Sequence, residues 1–139
     1  MKDLKLSIIY YSATGINYQL AKWAEEAARE MGAQVRVRKV DELAPDAAID
    51  QNPAWRAHVD SSRDVELAQN EDLEWADALI FSAPTRFGGP ASQMKQFLDT
   101  KGRLWGEGKL MNKVVSAMSS AGNSHDALGS NNRTSRLHR

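Results

Sequence analysis

The sequence contains no cysteine. This absence excludes disulfides, thiolate zinc sites and thiol nucleophiles, and it fits a reducing compartment. The chain also has no excess of either charge, because 18 Lys and Arg balance 18 Asp and Glu, so it has no general electrostatic attraction to nucleic acid or to an anionic membrane. No apolar run approaches the roughly 20 residues of a membrane span, and the N-terminus shows no cleavage site of the secretory kind. We therefore expect a cytoplasmic protein.

Several motifs that mark common enzyme classes are also missing. The sequence has neither the Walker A pattern nor GxGxxG, which typify loops that bind nucleoside triphosphates and dinucleotides. It lacks HExxH and Gly-x-Ser-x-Gly, and its three histidines, His58, His125 and His138, are scattered, so neither zinc nor hydrolase chemistry is predicted. The acidic pairs at 41–42 and 71–72 lie in polar segments and are interpreted as solvated surface.

Apolar periodicity in the first 40 residues predicts a strand, a helix and a second strand. Residues 4–11 (LKLSIIYY) form a short apolar run that is typical of a buried strand. From Ile16 the apolar spacing becomes helical, and it includes Trp23, which we assign to the core. Residues 34–40 (QVRVRKV) alternate as in a half-exposed or edge strand. Together these elements make one right-handed βαβ unit.

The alternation of strands and helices continues beyond this unit. A second buried strand is predicted at 77–83, ended by Pro84, followed by a helix at 90–100 and a strand at 113–119. The polar segment 41–74 is expected to cross the surface as loop and short helix. This order predicts an α/β fold with a doubly wound parallel sheet.

The chain length and its last residues predict the domain organisation. A chain of 139 residues is long enough for one core and not for two. Residues 123–139 contain Leu128 and Leu137 as their only large aliphatic residues and keep no periodicity. We expect a single domain over residues 1–122 and a disordered tail over 123–139.

Three loops follow the carboxyl ends of predicted strands, where ligands bind in open α/β sheets. The first loop, residues 12–17 (SATGIN), brings hydroxyls and a glycine to a helix N-terminus. Free N–H groups and the helix dipole favour an anion there, and a monophosphate suits the loop better than a triphosphate or a pyrophosphate. The alternative is an N-cap that binds nothing.

The second loop, residues 84–90 (PTRFGGP), holds two prolines and two glycines that fix its backbone. Phe87 offers a flat apolar surface, and Arg86 offers a permanent positive charge with several donors. These properties suit a planar, electron-accepting ring whose reduced form is negative; the alternative is a tight turn with an exposed arginine. The third loop, residues 119–122 (SSAG), is either a close approach to the same ligand or a plain turn. Trp105 either caps a ring or makes a satellite hydrophobic contact.

With these loops the chain resembles the WrbA family of FMN-dependent NAD(P)H:quinone oxidoreductases, which have the flavodoxin-like fold. The matching stretches are YYSATGIN, DALIFSAPTRFGGPASQMKQFLDT and LWGEGKLMNKVVSAMSSAG. The specific part is PTRFG followed by a Gln-Met helix and a Phe-Leu-Asp end, because the first loop alone would suit flavodoxins generally. The resemblance runs from residue 4 to about residue 122.

The resemblance implies FMN as the cofactor, NADH or NADPH as the co-substrate and a quinone as the substrate. Hydride would pass from nicotinamide to flavin and then to quinone; the flavin supplies this chemistry, so no catalytic side chain and no metal is assigned. The residues implied to hold the FMN phosphate are Ser12, Thr14, Gly15, Ile16 and Asn17. Those implied to line the ribityl chain and the isoalloxazine are Pro84, Thr85, Arg86, Phe87 and Gly88. The ring site would be completed by Ser119, Ser120 and Gly122, and Trp105 would lie over the flavin where substrate enters.

The resemblance stops after Gly122, where NSHDALGSNNRTSRLHR replaces the family's Gly-Gln-Glu continuation. The last helix, the fifth strand and the closing helix of the family then have no counterpart, as expected after a C-terminal truncation or a frameshift. We therefore expect the fourth strand to be an exposed apolar edge. The resemblance implies a homo-oligomer, although part of the assembling region has no counterpart here.

Two other functions remain open at this point. A flavodoxin-type one-electron carrier would share the fold, although zero net charge disfavours the acidic docking face of flavodoxins. A catalytically inactive remnant that acts as an interaction module would keep the sheet without turnover. A role on DNA has no basic stripe to support it.

Overall fold

The computed structural model describes residues 3–122, which form an α/β domain. The strands are β1 (Lys5–Tyr10), β2 (Gln34–Lys39), β3 (Ala78–Arg86), β4 (Gly89–Pro90) and β5 (Val114–Ser120). The helices are α1 (Ile16–Glu30), α2 (Asp46–Ile49), α3 (Pro53–Ser61), α4 (Asn70–Trp75), α5 (Ser92–Asp99) and α6 (Gly102–Gly106). The predicted alternation of strands and helices is confirmed, and residues 41–74 do carry short helices.

The central sheet has the strand order β2-β1-β3-β5, and all of its pairings are parallel. Strand β4 adds only a short antiparallel pairing with the end of β3. Ile8 of β1 lies between Val37 of β2 and Ile80 of β3, which fixes the register at the centre of the sheet. The order reverses between β1 and β3, so the predicted doubly wound sheet is confirmed, and a crevice for a ligand is expected above this point.

Alternate residues of β1 build separate cores on the two faces of the sheet. Ile8 and Tyr10 pack with Ala21 on the side covered by α1. Ile9 of β1 and Tyr11, the next residue after the strand, pack on the opposite side with residues of α4, α5 and α6, including Leu73, Met94, Phe97 and Leu104. A strand buried on both faces explains the unbroken apolar run of residues 4–11.

Helix α1 buries a different face from the one expected. The assignment of Trp23 to the core is wrong, because its side chain is 59% exposed. The helix turns Asn17 and Ala21 to the sheet, with Ala24 and Ala28 following at helical spacing. Small residues on this face let the helix axis approach the strands closely. The large apolar side chains of Ile16, Trp23 and Met31 lie away from the sheet and are exposed.

Strand β3 continues past Pro84, so the prediction that this proline ends the strand is wrong. Ser82 directs its carbonyl oxygen to the backbone N–H of Tyr11, just after β1. Backbone groups two residues apart on a strand point to the same side, so the nitrogen of Pro84 also faces the β1 side, but beyond the last residue of β1. Its missing N–H therefore costs no ladder hydrogen bond, and its carbonyl accepts from Ala91 instead.

Asp72 is buried, so its interpretation as solvated surface is wrong. Its side chain accepts a hydrogen bond from the backbone N–H of Gln69 and forms ion pairs with Arg36 and Arg38, each at 3.3 Å. Asp72 therefore ties the start of α4 to β2, which is a structural role.

Strand β5 is an edge strand of the described sheet, as expected. Over residues 3–122 it pairs only with β3, and Val114 and Val115 are 71% and 59% exposed. The tail prediction for 123–139 lies outside the described residues. None of the helices within residues 3–122 has both the length and the apolar character to cross a membrane.

Candidate functional site

The loops after β1, β3 and β5 meet at one edge of the sheet, as the sequence predicts for parallel strands. Asn17, at the start of α1, is 2% exposed, and its Nδ2 donates to Ser82 Oγ at 3.1 Å. Ser120 Oγ donates to Asn17 Oδ1 at 2.6 Å, and Thr85 Oγ1 donates to the Ser120 carbonyl oxygen at 3.2 Å. These hydrogen bonds join the predicted loops into one surface and leave the backbone N–H of Asn17, not its side chain, for a ligand.

The first loop leaves the N-terminus of α1 without a side-chain cap. Gly15 has φ of +105°, a conformation that suits glycine, and its N–H donates to Ser12 Oγ at 3.0 Å. Thr14 and Ile16 are exposed, and the first turn of α1 carries no acidic side chain. N–H groups of a first helical turn have no partner within the helix, so this uncapped end can hold an anion.

His58 of α3 lies against this loop, although the sequence shows it only as a scattered histidine. A Cβ atom on Gly15 would lie 3.6 Å from His58 Nδ1, and the imidazole packs on Tyr18 with ring centroids 5.7 Å apart. Burial and the positive charge of Lys39 lower the pKa of His58, against a smaller opposing effect of Glu42. The imidazole is therefore neutral at pH 7 and contributes one N–H donor to the surroundings of the loop.

The second loop is a tight hairpin at the end of β3. Thr85 pairs with Pro90 and Arg86 with Gly89, so Phe87 and Gly88 form a two-residue turn. Both turn residues have positive φ, 51° and 81°, as type I′ turns require. Phe87 is fully exposed, and an aromatic residue in this backbone region is strained. Strain of this kind is concentrated at ligand-binding positions.

Arg86 is held at the base of this hairpin by side chains from other elements. Its Nη1 donates to Gln93 Oε1 at 3.0 Å, and its Nη2 donates to the Tyr11 hydroxyl oxygen at 3.4 Å. The guanidinium carbon also lies 5.5 Å from the centroid of the Tyr11 ring and 5.9 Å from that of Trp55. Arg86 is thus half-buried and oriented, and it is not the exposed arginine of a plain turn.

Glu42 is the centre of these contacts, and its interpretation as solvated surface is wrong. Its carboxylate accepts four hydrogen bonds. The donors are Tyr11 Oη at 2.7 Å, Trp55 Nε1 at 3.0 Å, Gln93 Nε2 at 2.6 Å and the backbone N–H of Ala44 at 3.0 Å. Burial by itself raises the pKa of Glu42, but these donors outweigh it and hold the pKa below its usual range. The carboxylate is therefore ionised at neutral pH.

The third loop lies beside the hairpin. Ser119 and Ser120 pair with Ala83 and Pro84, and Ser119 Oγ donates to the Ala83 carbonyl oxygen at 2.9 Å. Gly122 is exposed at the end of the described chain. The Ser119 hydroxyl thus holds β5 on β3, the Ser120 hydroxyl holds it on α1, and together they bring the small residues of this loop next to the other two loops.

Two clefts lie near these elements. A cleft of about 590 Å³ opens beside the first loop and is lined by Ser12, Lys39, Glu42, His58 and residues of α2 and α3. Trp105 lines a second cleft of about 510 Å³ with Gly106, Gly108, Leu110 and Met111. Its predicted position over a flavin stays a prediction, since no described contact joins it to the three loops. Within residues 3–122, no three His, Asp or Glu side chains are placed to share a metal ion.

Comparisons with known sequences give one consistent result. Residues 4–136 match the NADPH-dependent FMN reductase family. A protein of Deinococcus radiodurans named NAD(P)H dehydrogenase (quinone) is 53% identical over 120 residues, which cover 86% of this chain and 60% of that protein. A protein of the same name from Archaeoglobus fulgidus is 41% identical over 116 residues, covering 84% and 61%. The chain thus spans about 60% of the length of these relatives.

Solved structures agree on the fold. A WrbA-like flavodoxin from Agrobacterium tumefaciens superposes with a TM-score of 0.65 at 23% identity, covering 91% of this chain and 66% of the other. A flavodoxin from the domain Archaea gives a TM-score of 0.51 at 12% identity, with 91% and 94% covered. The fold is therefore flavodoxin-like.

Proposed function

Because the chain belongs to the NADPH-dependent FMN reductase family, we propose that it binds FMN and catalyses the two-electron reduction of quinones by NADH or NADPH. The observation that carries the proposal is the joining of the uncapped N-terminus of α1 to the Arg86–Phe87 hairpin through Asn17 and Ser120. An anion site and a flat cationic surface at one sheet edge match the two ends of FMN. The relatives are named NAD(P)H dehydrogenase (quinone), and this name supports the proposed reaction.

The first loop would hold the phosphate. The N–H groups at the start of α1 would bind its oxygens, and the helix dipole would stabilise its negative charge. Thr14 is exposed and can turn its hydroxyl to the phosphate, whereas Ser12 Oγ already accepts from Gly15. Gly15 and Ile16 would contribute backbone rather than side-chain contacts.

The other two loops would hold the ribityl chain and the ring. Pro84, Thr85 and Gly88 would shape the backbone beside the ribityl chain, and Phe87 would present its ring face. The remaining guanidinium N–H groups of Arg86 would donate to the isoalloxazine. Ser119, Ser120 and Gly122 would border the ring on its other side, and Trp105 is proposed for the substrate entrance. When bound, FMN supplies the hydride chemistry, while the protein fixes position and charge.

The remaining features of the proposal follow from the same assignment. Residues 1–122 would be the FMN-binding domain, and the protein would act in the cytoplasm, where NAD(P)H is available. A quinone would be its partner, and zero net charge gives no support for a nucleic-acid partner. A homo-oligomer is proposed from the resemblance to the WrbA family.

Turnover at defined FMN occupancy tests this function. The protein is loaded with FMN in steps, and oxidation of NADH and NADPH with benzoquinone is followed at each step against a control of free FMN at the same concentration. The proposal predicts a rate that rises in proportion to bound FMN. A folded, FMN-loaded protein that oxidises neither nucleotide faster than free FMN would exclude it.

A further inference from the structure

Arg86, Tyr11, Gln93 and Glu42 form a closed ring of hydrogen bonds. The guanidinium donates to Gln93 Oε1 and to Tyr11 Oη, and each of these two residues donates in turn to a different oxygen of Glu42. The ring joins the end of β1, the loop after β2, the end of β3 and the start of α5. These positions are far apart in sequence, and Arg86 makes no direct hydrogen bond with Glu42 within the part of the chain that the structure describes.

The charge of Glu42 fixes the direction of every hydrogen bond in this ring. An ionised carboxylate can only accept, so the Tyr11 hydroxyl and the Gln93 amide must both turn their protons toward it. Tyr11 Oη and Gln93 Oε1 are then left as acceptors, and both lie at the guanidinium. Trp55 Nε1 and the Ala44 N–H donate to the same carboxylate, which keeps it ionised and in place.

We propose that Glu42 is a positioning residue that orients Arg86 toward the flavin ring by setting the polarity of Tyr11 and Gln93. The inference rests on the proposed function for the identity of the ligand that Arg86 meets. In this role Glu42 acts through Tyr11 and Gln93: its charge balances that of the arginine, and it turns both acceptors toward the guanidinium. The N–H groups of Arg86 that do not donate to Tyr11 or Gln93 would then serve the ligand.

A carboxylate that merely attached the segment after β2 to the sheet would have a different signature. Removal of that carboxylate would loosen the segment, and it would weaken the binding of any ligand by the same factor whether or not Arg86 is present. A positioning residue acts through Arg86, so its removal has no further effect on the ligand once the guanidinium is gone. Non-additivity between the two positions separates these roles.

The test is a double-mutant cycle on the dissociation constant of FMN with Glu42→Gln and Arg86→Gln. Glutamine keeps the size of the side chain but brings a donor, so it breaks the polarity of the ring. We expect Glu42→Gln alone to raise the dissociation constant about tenfold, which is about 1.4 kcal/mol, because Arg86 then loses the fixed orientation of its charged hydrogen bonds to the ligand. In the Arg86→Gln background the same change should have less than about a twofold effect. Asp99→Asn, which removes an exposed ion pair on the helix that carries Gln93, serves as the control and should leave binding unchanged.

A second readout needs no flavin and keeps the inference separate from the proposed function. The Nη–H resonances of Arg86 in the ligand-free protein should be resolved, because Nη1 donates to Gln93 and Nη2 to Tyr11, which restricts rotation within the guanidinium group. These resonances should merge in Glu42→Gln and in Tyr11→Phe but not in Asp99→Asn. If the wild type fails to bind FMN while this pattern appears, the proposed function falls and the positioning of Arg86 stands. Unchanged Arg86 resonances in Glu42→Gln, or equal effects on FMN in both backgrounds, would overturn the inference.

Discussion

Ser120 Oγ donates a hydrogen bond of 2.6 Å to Asn17 Oδ1, which joins the last described strand to the first turn of α1 across 103 positions of sequence. The same asparagine side chain donates to Ser82 Oγ in the central strand. One buried amide therefore joins the first turn of α1 to β3 and to the end of β5. The N-terminus of α1 cannot move relative to β3 and β5 without breaking these bonds.

Replacement of this amide should destabilise the whole domain. Asn17→Ala leaves the Ser82 and Ser120 hydroxyls without their partner, and we expect the free energy of unfolding in urea to fall by about 1–3 kcal/mol. Gln19→Ala, at an exposed position of the same helix, is the control and should change it by less than about 0.5 kcal/mol. Equal losses in both variants would show that the amide does not hold α1 on β3 and β5.

Gly15 is the second position at which the backbone of the site depends on one residue. Its φ of +105° disfavours any Cβ, so Gly15→Ala should cost about 1–2 kcal/mol of stability and weaken FMN binding. Gly102→Ala is a matched control, because nothing lies within 4 Å of the added Cβ and the glycine opens a helix. That variant should be neutral or stabilised by up to about 1 kcal/mol and bind FMN normally. Similar behaviour of the two variants would contradict the assignment of the first loop.

Phe87 should show opposite effects on stability and binding. Its side chain is exposed and its φ is positive, so Phe87→Asn should raise the midpoint of thermal unfolding, with a gain of about 0.5–1 kcal/mol. The same change removes the ring face and should weaken FMN binding about two- to tenfold. Phe87→Tyr keeps the ring and should bind as the wild type does. Tighter binding in Phe87→Asn would show that the ring does not face the flavin.

The hydrogen bonds of Glu42 predict a pH dependence of stability. Burial raises the pKa of Glu42, but its four donors outweigh this and keep the pKa below its usual value, so the folded state binds this proton less readily than the unfolded state does. The stabilisation is complete above about pH 4.3, the pKa of an unperturbed Glu, and is lost as the pH falls through the lowered value. The stability advantage of the wild type over Glu42→Gln, measured by urea unfolding, should therefore shrink as the medium is acidified. A difference in the free energy of unfolding that stays constant down to pH 3 would contradict the lowered pKa of Glu42.

The sequence predicts the fold well, because its signals there are local. Periodicity identifies β1, α1 and β2, and the apolar runs identify β3 and β5. The errors at Trp23 and Pro84 have one cause: both depend on the neighbours in three dimensions. The buried face of α1 is chosen by how closely its alanines approach the sheet, and Pro84 is tolerated because β1 ends before it.

The candidate site is predictable only in part for the same reason. Hydroxyls and glycines after strand ends indicate the three loops, and the structure brings them together. Glu42 carries no local signal, because Tyr11 and Gln93 lie 31 and 51 positions away and become its donors only on folding. His58 likewise gains its place beside Gly15 through the packing of α3. The sequence around these two residues shows only a polar segment with a tryptophan and a histidine between two strands, and this pattern does not identify a site.

Titration of the 139-residue protein with FMN, followed by flavin fluorescence with riboflavin in parallel, is the decisive test of the proposed FMN site. Circular dichroism of the same sample establishes that the protein is folded. We expect quenching with a dissociation constant in the micromolar range or below, and at least about tenfold weaker binding of riboflavin, because riboflavin lacks the phosphate that the α1 N-terminus would hold. A folded protein that quenches neither flavin, or that binds both equally, would contradict the assignment of this sheet edge as an FMN site.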